Sequence, residues 1–180
     1  SVTLIGDSAF YDCHSLIDLS TPSSLITIGE KAFCKCSVLS SFDVPASVNS
    51  IGSTAFQECS LIREINIPQG VTSIPKELFK KCSRLKKITI PPTVTSLGVG
   101  AFCECSTLIE IIIPEGITSI PKDSFNGCSG LRKITIPSSV KAIGSNAFMN
   151  CTSLNKIAIP ASVKNIEKCQ LYGITKITRF

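Results

Sequence analysis

Ten cysteines and a single histidine are the residues of this 180-residue chain with the widest chemical repertoire. Thiolates attack carbonyl carbons, pair as disulfides or ligate zinc, and an imidazole serves as base or ligand. Their spacing argues against each of these uses. Seven cysteines, Cys13, Cys36, Cys59, Cys82, Cys105, Cys128 and Cys151, recur every 23 residues, as a repeated unit would place them. Stacked side chains that point in parallel into a core rarely meet the disulfide torsion. A buried thiol packs as a small hydrophobe with a weak S–H donor, so an inert thiol column is predicted. Cys34, Cys103 and Cys169 stand outside the column, and the first two form C-x-C pairs with Cys36 and Cys105. Cys34 and Cys103 fall three coils apart, about 14 Å at the usual strand spacing, too far for a bridge. They are expected to be partly exposed free thiols. Four convergent zinc ligands are lacking, and neither metal nor cofactor is expected. His14 takes the phase of Ser37, Ser60, Ser83 and Ser106, which reads as a surface substitution, and adjacent Cys13 and His14 do not point at each other as nucleophile and base. There is no G-x-S-x-G elbow, P-loop or H-E-x-x-H, and nothing pairs carboxylates such as Asp43 and Glu64 across a pocket. The segment is read as non-enzymatic.

The unit that sets these spacings is announced by Phe10, Phe33, Phe56, Phe79, Phe102, Phe125 and Phe148, each 23 residues from the next. Its template is A-F-x-x-C-S-x-L-x-x-I-x-I-P-x-x-V-x-x-I-G-x-x, read in Ala55, Phe56, Cys59, Ser60, Ile62, Ile65, Ile67, Pro68, Val71 and Ile74. A period of this size means a solenoid. Within it, L-x-x-I-x-I-P alternates apolar and polar positions, as in Leu85, Ile88 and Ile90 before Pro91, which predicts a half-buried strand. Strands repeated at this spacing must run parallel, and the proline that ends each has no amide hydrogen for the ladder. V-x-x-I predicts a short extended return, and A-F-x-x-C suits one helical turn facing inward. The fold class expected is α/β: residues 1–180 as one solenoid of about eight 23-residue coils, with a parallel sheet on one side and short helical turns opposite.

A second period lies beneath the first. Pro68 to Ile113 resembles Pro114 to Ile159 more closely than neighbouring units resemble each other, and Pro75 and Pro121 stand where Gly52, Gly98 and Gly144 supply glycine. Solenoid stability sums within-coil and nearest-neighbour terms, so exposed ends need caps. The chain opens in mid-unit, with Val2 and Ile5 at the phases of Val48 and Ile51, which predicts a segment of a longer array. In the last unit Glu167 replaces the glycine, Leu171 the phenylalanine and Ile174 the cysteine, with Phe180 at the phase of Ile157. No stretch approaches the ~20 consecutive apolar residues of a membrane span. Leu108 to Ile113 is interrupted by Glu110 and stopped by Pro114, so no membrane insertion is expected.

The repeated I-P, I-G, A-F and C-S pairs, carried over essentially the whole chain, resemble the BspA-type leucine-rich repeats of bacterial and protozoan surface-associated proteins. The resemblance implies a right-handed solenoid whose parallel sheet lines a concave face, a cell-surface or secreted location, and adhesion to host proteins, matrix or other cells. It carries no binding residue over, because the shared motif is buried skeleton.

With the I-x-I residues inward, their neighbours face out. One column reads Asp18, Ser41, Glu64, Lys87, Glu110, Lys133, Lys156 and Arg179; a second reads Ser20, Asp43, Asn66, Thr89, Ile112, Thr135 and Ala158. These supply the candidate contacts for a protein partner. With no Trp and only Tyr11 and Tyr172, a dominant aromatic anchor is not expected. Charge is uneven: residues 1–75 carry a net −4 and residues 76–180 a net +9. The densest basic run, Lys76, Lys80, Lys81, Arg84, Lys86 and Lys87, is opposed locally by Glu77. That patch offers an alternative attachment for a sulfated glycan, or forms a solvated convex surface. Nucleic acid ranks last for want of stacking platforms. A structural spacer without a specific ligand is the remaining alternative. Asn150-Cys151-Thr152 fits the glycosylation pattern, with its central residue in the buried column.

Overall fold

A computed structural model of the protein describes residues 2–164, 171 and 174–180. The chain winds into a parallel-strand solenoid of about seven turns, and each turn contributes to two ladders. A narrow ladder is built from β1 (Leu4–Ile5), β2 (Thr27–Ile28), β3 (Ser50–Ile51), β5 (Ser73–Ile74), β7 (Ser96–Leu97), β9 (Ser119–Ile120) and β11 (Ala142–Ile143). A broad ladder is built from β4 (Glu64–Asn66), β6 (Lys87–Thr89), β8 (Glu110–Ile112), β10 (Lys133–Thr135), β12 (Lys156–Ile159) and β13 (Lys176–Arg179), hydrogen-bonded as the pairs β4-β6, β8-β10 and β12-β13. All pairings are parallel. Glu64 lies opposite Lys87, and Glu110 opposite Lys133.

The interior consists of side chains stacked on their own copies. Neighbouring phenylalanine rings from Phe10 to Phe148 lie 5.2–5.9 Å apart between centroids and within 14° of parallel. These separations exceed the ~4.8 Å strand spacing, so the rings are offset, the arrangement that the ring quadrupole prefers. Phe33 to Phe148 are fully buried, whereas Phe10, at the first turn, is only partly covered. Glycine permits the tightest contacts between turns. A Cβ at Gly98 would fall on the Lys76 amide nitrogen and the Pro75 carbonyl carbon, while one at Gly6 would meet nothing within 4 Å.

The expected helical turns are absent: among the described residues there is no α-helix. The A-F-x-x-C segment is a run of tight turns, and the reason lies in its backbone. Left-handed residues recur four apart in each turn, as at Thr54 (φ 56°) and Glu58 (φ 61°), or Glu77 (φ 51°) and Lys81 (φ 61°). Amides then alternate in their use. Thr54, Phe56 and Glu58 donate to the carbonyls of Lys76, Leu78 and Lys80 in the next turn, while Ala55, Gln57 and Cys59 donate three residues back. A helix would turn its donors along its own axis, to carbonyls four residues back or to none at its first turn; here alternate donors join one turn to the next.

The two-turn period appears in the ladders. Gly29, Gly52, Gly98 and Gly144 donate their amides to Ile5, Ile28, Ile74 and Ile120. Pro75 and Pro121 occupy the same phase and have no N–H to give. Accordingly the narrow ladder divides into β1-β2-β3, β5-β7 and β9-β11, interrupted where each proline falls.

Two further departures concern the broad ladder. In the first two turns, residues 16–22 and 39–45 form no strand. Phe42 there replaces the usual isoleucine, and its ring wedges at 57–59° against Phe33 and Phe56, 4.7 and 5.1 Å away. In the final turn the register is shorter than 23 residues: Lys176 pairs with Lys156, Ile177 with Ile157 and Arg179 with Ile159. Arg179 therefore leaves the column assigned to it from the repeat, and Lys176 takes its place. Ile177, not Phe180, faces Ile157. Leu171 and Ile174 likewise occupy the positions of Cys151 and Leu154, since the Ile174 amide donates to Leu171 as that of Leu154 does to Cys151. Glu167, Cys169 and Tyr172 lie outside the described residues.

Truncating a mid-array ring, Phe102→Ala, is expected to cost roughly 3–5 kcal/mol in urea unfolding, and Phe10→Ala distinctly less. Gly98→Ala forces a side chain into backbone and is expected to lower the unfolding midpoint well below that of Gly6→Ala.

Candidate binding face

The thiol column is closed to chemistry. The Sγ of Cys36, Cys59, Cys82, Cys105, Cys128 and Cys151 each donates to a phenylalanine carbonyl of the preceding turn, from Phe10 through Phe125, over 2.9–3.1 Å. All six are free thiols and buried. Burial pushes their ionisation upward, to about 11 for Cys36 and about 12 for Cys151, and well above the ordinary 9.0 for Cys59, Cys105 and Cys128. Held neutral beneath a ring stack, none can attack a substrate.

Cys34 and Cys103 were expected to be partly exposed; they are buried at 4% and 8% exposure. Desolvation, reinforced by Glu58 near Cys34 and Glu104 near Cys103, raises both thiols. Their phase, shared with Gln57 and Lys80, is tucked beneath the left-handed residues of adjoining turns, which hydrophilic side chains at the other copies conceal in the sequence. His14 is exposed beside Asp12, at 3.5 Å, and Cys13 is half-buried at the start of its column. Among the described residues no cluster of histidine, cysteine and carboxylate side chains could hold a metal ion. No helix there is long and apolar enough to cross a membrane.

The broad ladder carries the outward columns. Glu64 and Asn66 lie on β4, Lys87 and Thr89 on β6, Glu110 and Ile112 on β8, Lys133 and Thr135 on β10, and Lys156 on β12, all exposed. Asp18 and Asp43 are also exposed, but in the strandless first turns, where open hollows of ≈470 and ≈310 Å³ adjoin Phe42. Ile112 is 69% exposed in the middle of this face. A shallow apolar hollow of ≈300 Å³ joins it to Ile90 and Pro92.

The basic run spans two segments of its turn. Lys76, Lys80 and Lys81 follow β5 along the tight turns, where Lys80 pairs with Glu77 at 3.2 Å and Lys81 with Glu58 of the previous turn at 3.5 Å. Arg84, Lys86 and Lys87 belong to the return toward the broad ladder, and Lys87 lies in β6 itself. A second cationic surface lies further along the chain. Arg132, Lys133 and Lys156 border two adjoining hollows of ≈360 and ≈490 Å³, the first walled by Phe180 and Ala158, the second lined by Thr152, Ser153 and Asn155. Reading alternate positions alone missed Arg132, because L-x-x-I exposes two successive residues before each strand. The shortened final turn hid Lys176 and Phe180.

Comparison with known proteins agrees with this geometry. The profile described as the BspA type leucine rich repeat region matches residues 3–131 and 97–180, in 6 copies. A leucine-rich repeat protein of T. pallidum superposes with a TM-score of 0.81 at 31% identity, over 85% of this chain and 72% of that one. A leucine-rich cell surface protein of Faecalibacterium prausnitzii gives 0.66 at 29% identity, over 99% of this chain and 57% of that one. A leucine-rich repeat protein of Bacteroides ovatus, at 24% identity and a TM-score of 0.61, shares the fold; this chain spans 64% of its length. Among curated proteins no sequence matches the chain.

The column predicts both a reactivity and a pH dependence. Native protein is expected to resist iodoacetamide at Cys59, Cys82, Cys105 and Cys128 and to be alkylated there only with denaturant, as peptide mass mapping would read. Because the folded thiols ionise above the ordinary 9.0, the unfolded chain releases protons first as pH rises. Their stabilising effect is complete below pH 9 and is lost progressively through the more alkaline range. Urea midpoints should fall there, and fall less in a Cys82→Ala/Cys105→Ala/Cys128→Ala variant.

Proposed function

The chain belongs to the BspA-type leucine-rich repeat family, and from that premise we propose that it is a non-enzymatic, adhesion-type binding module of a surface or secreted protein, holding a protein partner against a concave broad-ladder face. One observation carries this reading. The inward positions repeat almost unchanged from turn to turn, whereas the outward column runs Ser20, Asp43, Asn66, Thr89, Ile112, Thr135 and Ala158, with no two neighbours alike. A scaffold of constant interior and changing exterior suits recognition of one partner by position-specific contacts. Exposed Ile112 supplies apolar area at its centre, between Thr89 of β6 and Thr135 of β10, and lies opposite Thr135 in the ladder.

The surface location is supported by the relative described as a leucine-rich cell surface protein. Matrix and cell-surface proteins are the partner class this reading favours. Attachment of a sulfated glycan through Lys76 to Lys87 is less favoured, since Lys80 and Lys81 already face carboxylates.

The test is binding of the chain to a panel of matrix proteins, cell-surface proteins and sulfated glycans at low and physiological salt. Saturable binding that survives physiological salt and weakens at least tenfold in Thr89→Arg/Ile112→Arg is expected. Absence of saturable binding across the panel would favour a spacer, and loss on Lys86→Glu/Lys87→Glu with steep salt dependence would move the contact to the basic run.

A further inference from the structure

We infer that the strands β10, β12 and β13 form a docking site for an extended polypeptide segment in which acidic and apolar residues alternate, a site that rests on the proposed role of this face in protein binding. The cations come first. Lys156 lies directly opposite Lys176 in the parallel ladder, a like-charge pairing that is unfavourable without counter-charge. Arg132 and Lys133 stand one strand away, and among the described residues no carboxylate comes within ion-pairing distance of Arg132, Lys133, Lys156 or Lys176. Of the described lysines elsewhere, Lys31, Lys80, Lys81 and Lys122 have a carboxylate within that distance. This corner of the face presents concentrated positive charge, met in the ladder by Glu110 opposite Lys133.

The apolar component distinguishes the ligand. The ≈360 Å³ hollow beside these cations is lined by Thr135, Ala158 and Phe180, and Phe180 leaves 63% of its surface exposed. The ≈490 Å³ hollow on the other side shares Arg132 and Lys156 and is lined by hydroxyl and amide groups. An extended peptide sends successive side chains to opposite sides. One row of carboxylates then meets Arg132, Lys133 and Lys156 while the alternate apolar row enters the hollow against Phe180.

A uniformly charged polyanion fits less well on two grounds. Glu110 is paired in register with Lys133, and Asp18 and Asp43 occupy the far end of the same face, so its charge changes sign along the axis. Such a ligand also leaves the apolar hollow unfilled. A polypeptide can pattern its charge to match.

The test uses the intact chain and fluorescence anisotropy at physiological salt. The probe is a labelled peptide of alternating Glu and Leu, compared with a Glu-Ser peptide of equal length and a heparin-derived oligosaccharide. Saturable binding of the Glu-Leu peptide is expected, at least tenfold tighter than Glu-Ser, and weakened at least tenfold by Lys133→Glu/Lys156→Glu and by Ala158→Arg. The milder Lys133→Gln/Lys156→Gln, with an unchanged melting curve, is expected to give an intermediate loss, and Glu30→Gln none. Three outcomes overturn the site: no saturable peptide binding, tighter binding of the oligosaccharide, or peptide binding indifferent to these substitutions. A protein partner lost with Thr89→Arg/Ile112→Arg yet unaffected by Lys133→Glu/Lys156→Glu would also overturn it, while leaving the role of the wider face intact.

Discussion

Backbone amides in a narrow coil have two outlets, a carbonyl a few residues back or one in the adjacent turn, and the solenoid depends on the division between them. Along each tight-turn run the donors alternate: Phe56 reaches Leu78 in the next turn, while Cys59 reaches back to Phe56. The inter-turn half fixes the stacking distance for everything beneath it. With that distance set, the phenylalanine rings fall into offset contact, and each thiol comes within reach of a carbonyl one turn earlier. The left-handed residues that produce the alternation stand mostly at Lys, Glu, Asp and Asn rather than glycine. Their unfavourable torsions persist because hydrogen bonds on both sides over-determine them.

The same bonds explain what the sequence disclosed and what it concealed. The columns of Phe, Cys and Pro, the parallel strands and the two-turn period all follow from spacing, because stacked identical residues must share a phase. Tight turns were mistaken for helical ones because A-F-x-x-C satisfies either geometry at its buried positions. The left-handed sites that decide between them lack the glycine that would have marked them. Cys34 was read as exposed because Gln57 and Lys80 occupy its phase, and a long polar side chain can leave a site that a short thiol cannot. The outward columns were legible through β12. Beyond it the shortened turn replaced Arg179 with Lys176, and at the other end Asp18 and Asp43 lie in turns that form no strand.

Interior constancy and exterior variety divide the labour of the molecule. Each residue of the phenylalanine and cysteine columns packs against its own copies, whereas an outward residue such as Ile112 or Lys133 contributes little to the stack. Recognition can change by single substitutions at the surface without disturbing the fold. Charge follows the same independence: carboxylates predominate over the first turns and cations over the last, along one uninterrupted hydrophobic interior.

The prolines at 75 and 121 give this rod a mechanical grain. Where they fall, the narrow ladder loses its rungs, and the tight-turn bonds, such as Thr54 to Lys76 and Gly100 to Lys122, hold neighbouring turns together beside the gap. Under tension such joints shear before their neighbours do. A tethered array would lengthen in increments of 46 residues, roughly 150 Å of contour for each released block. The blocks between joints keep their outward columns in place while they hold.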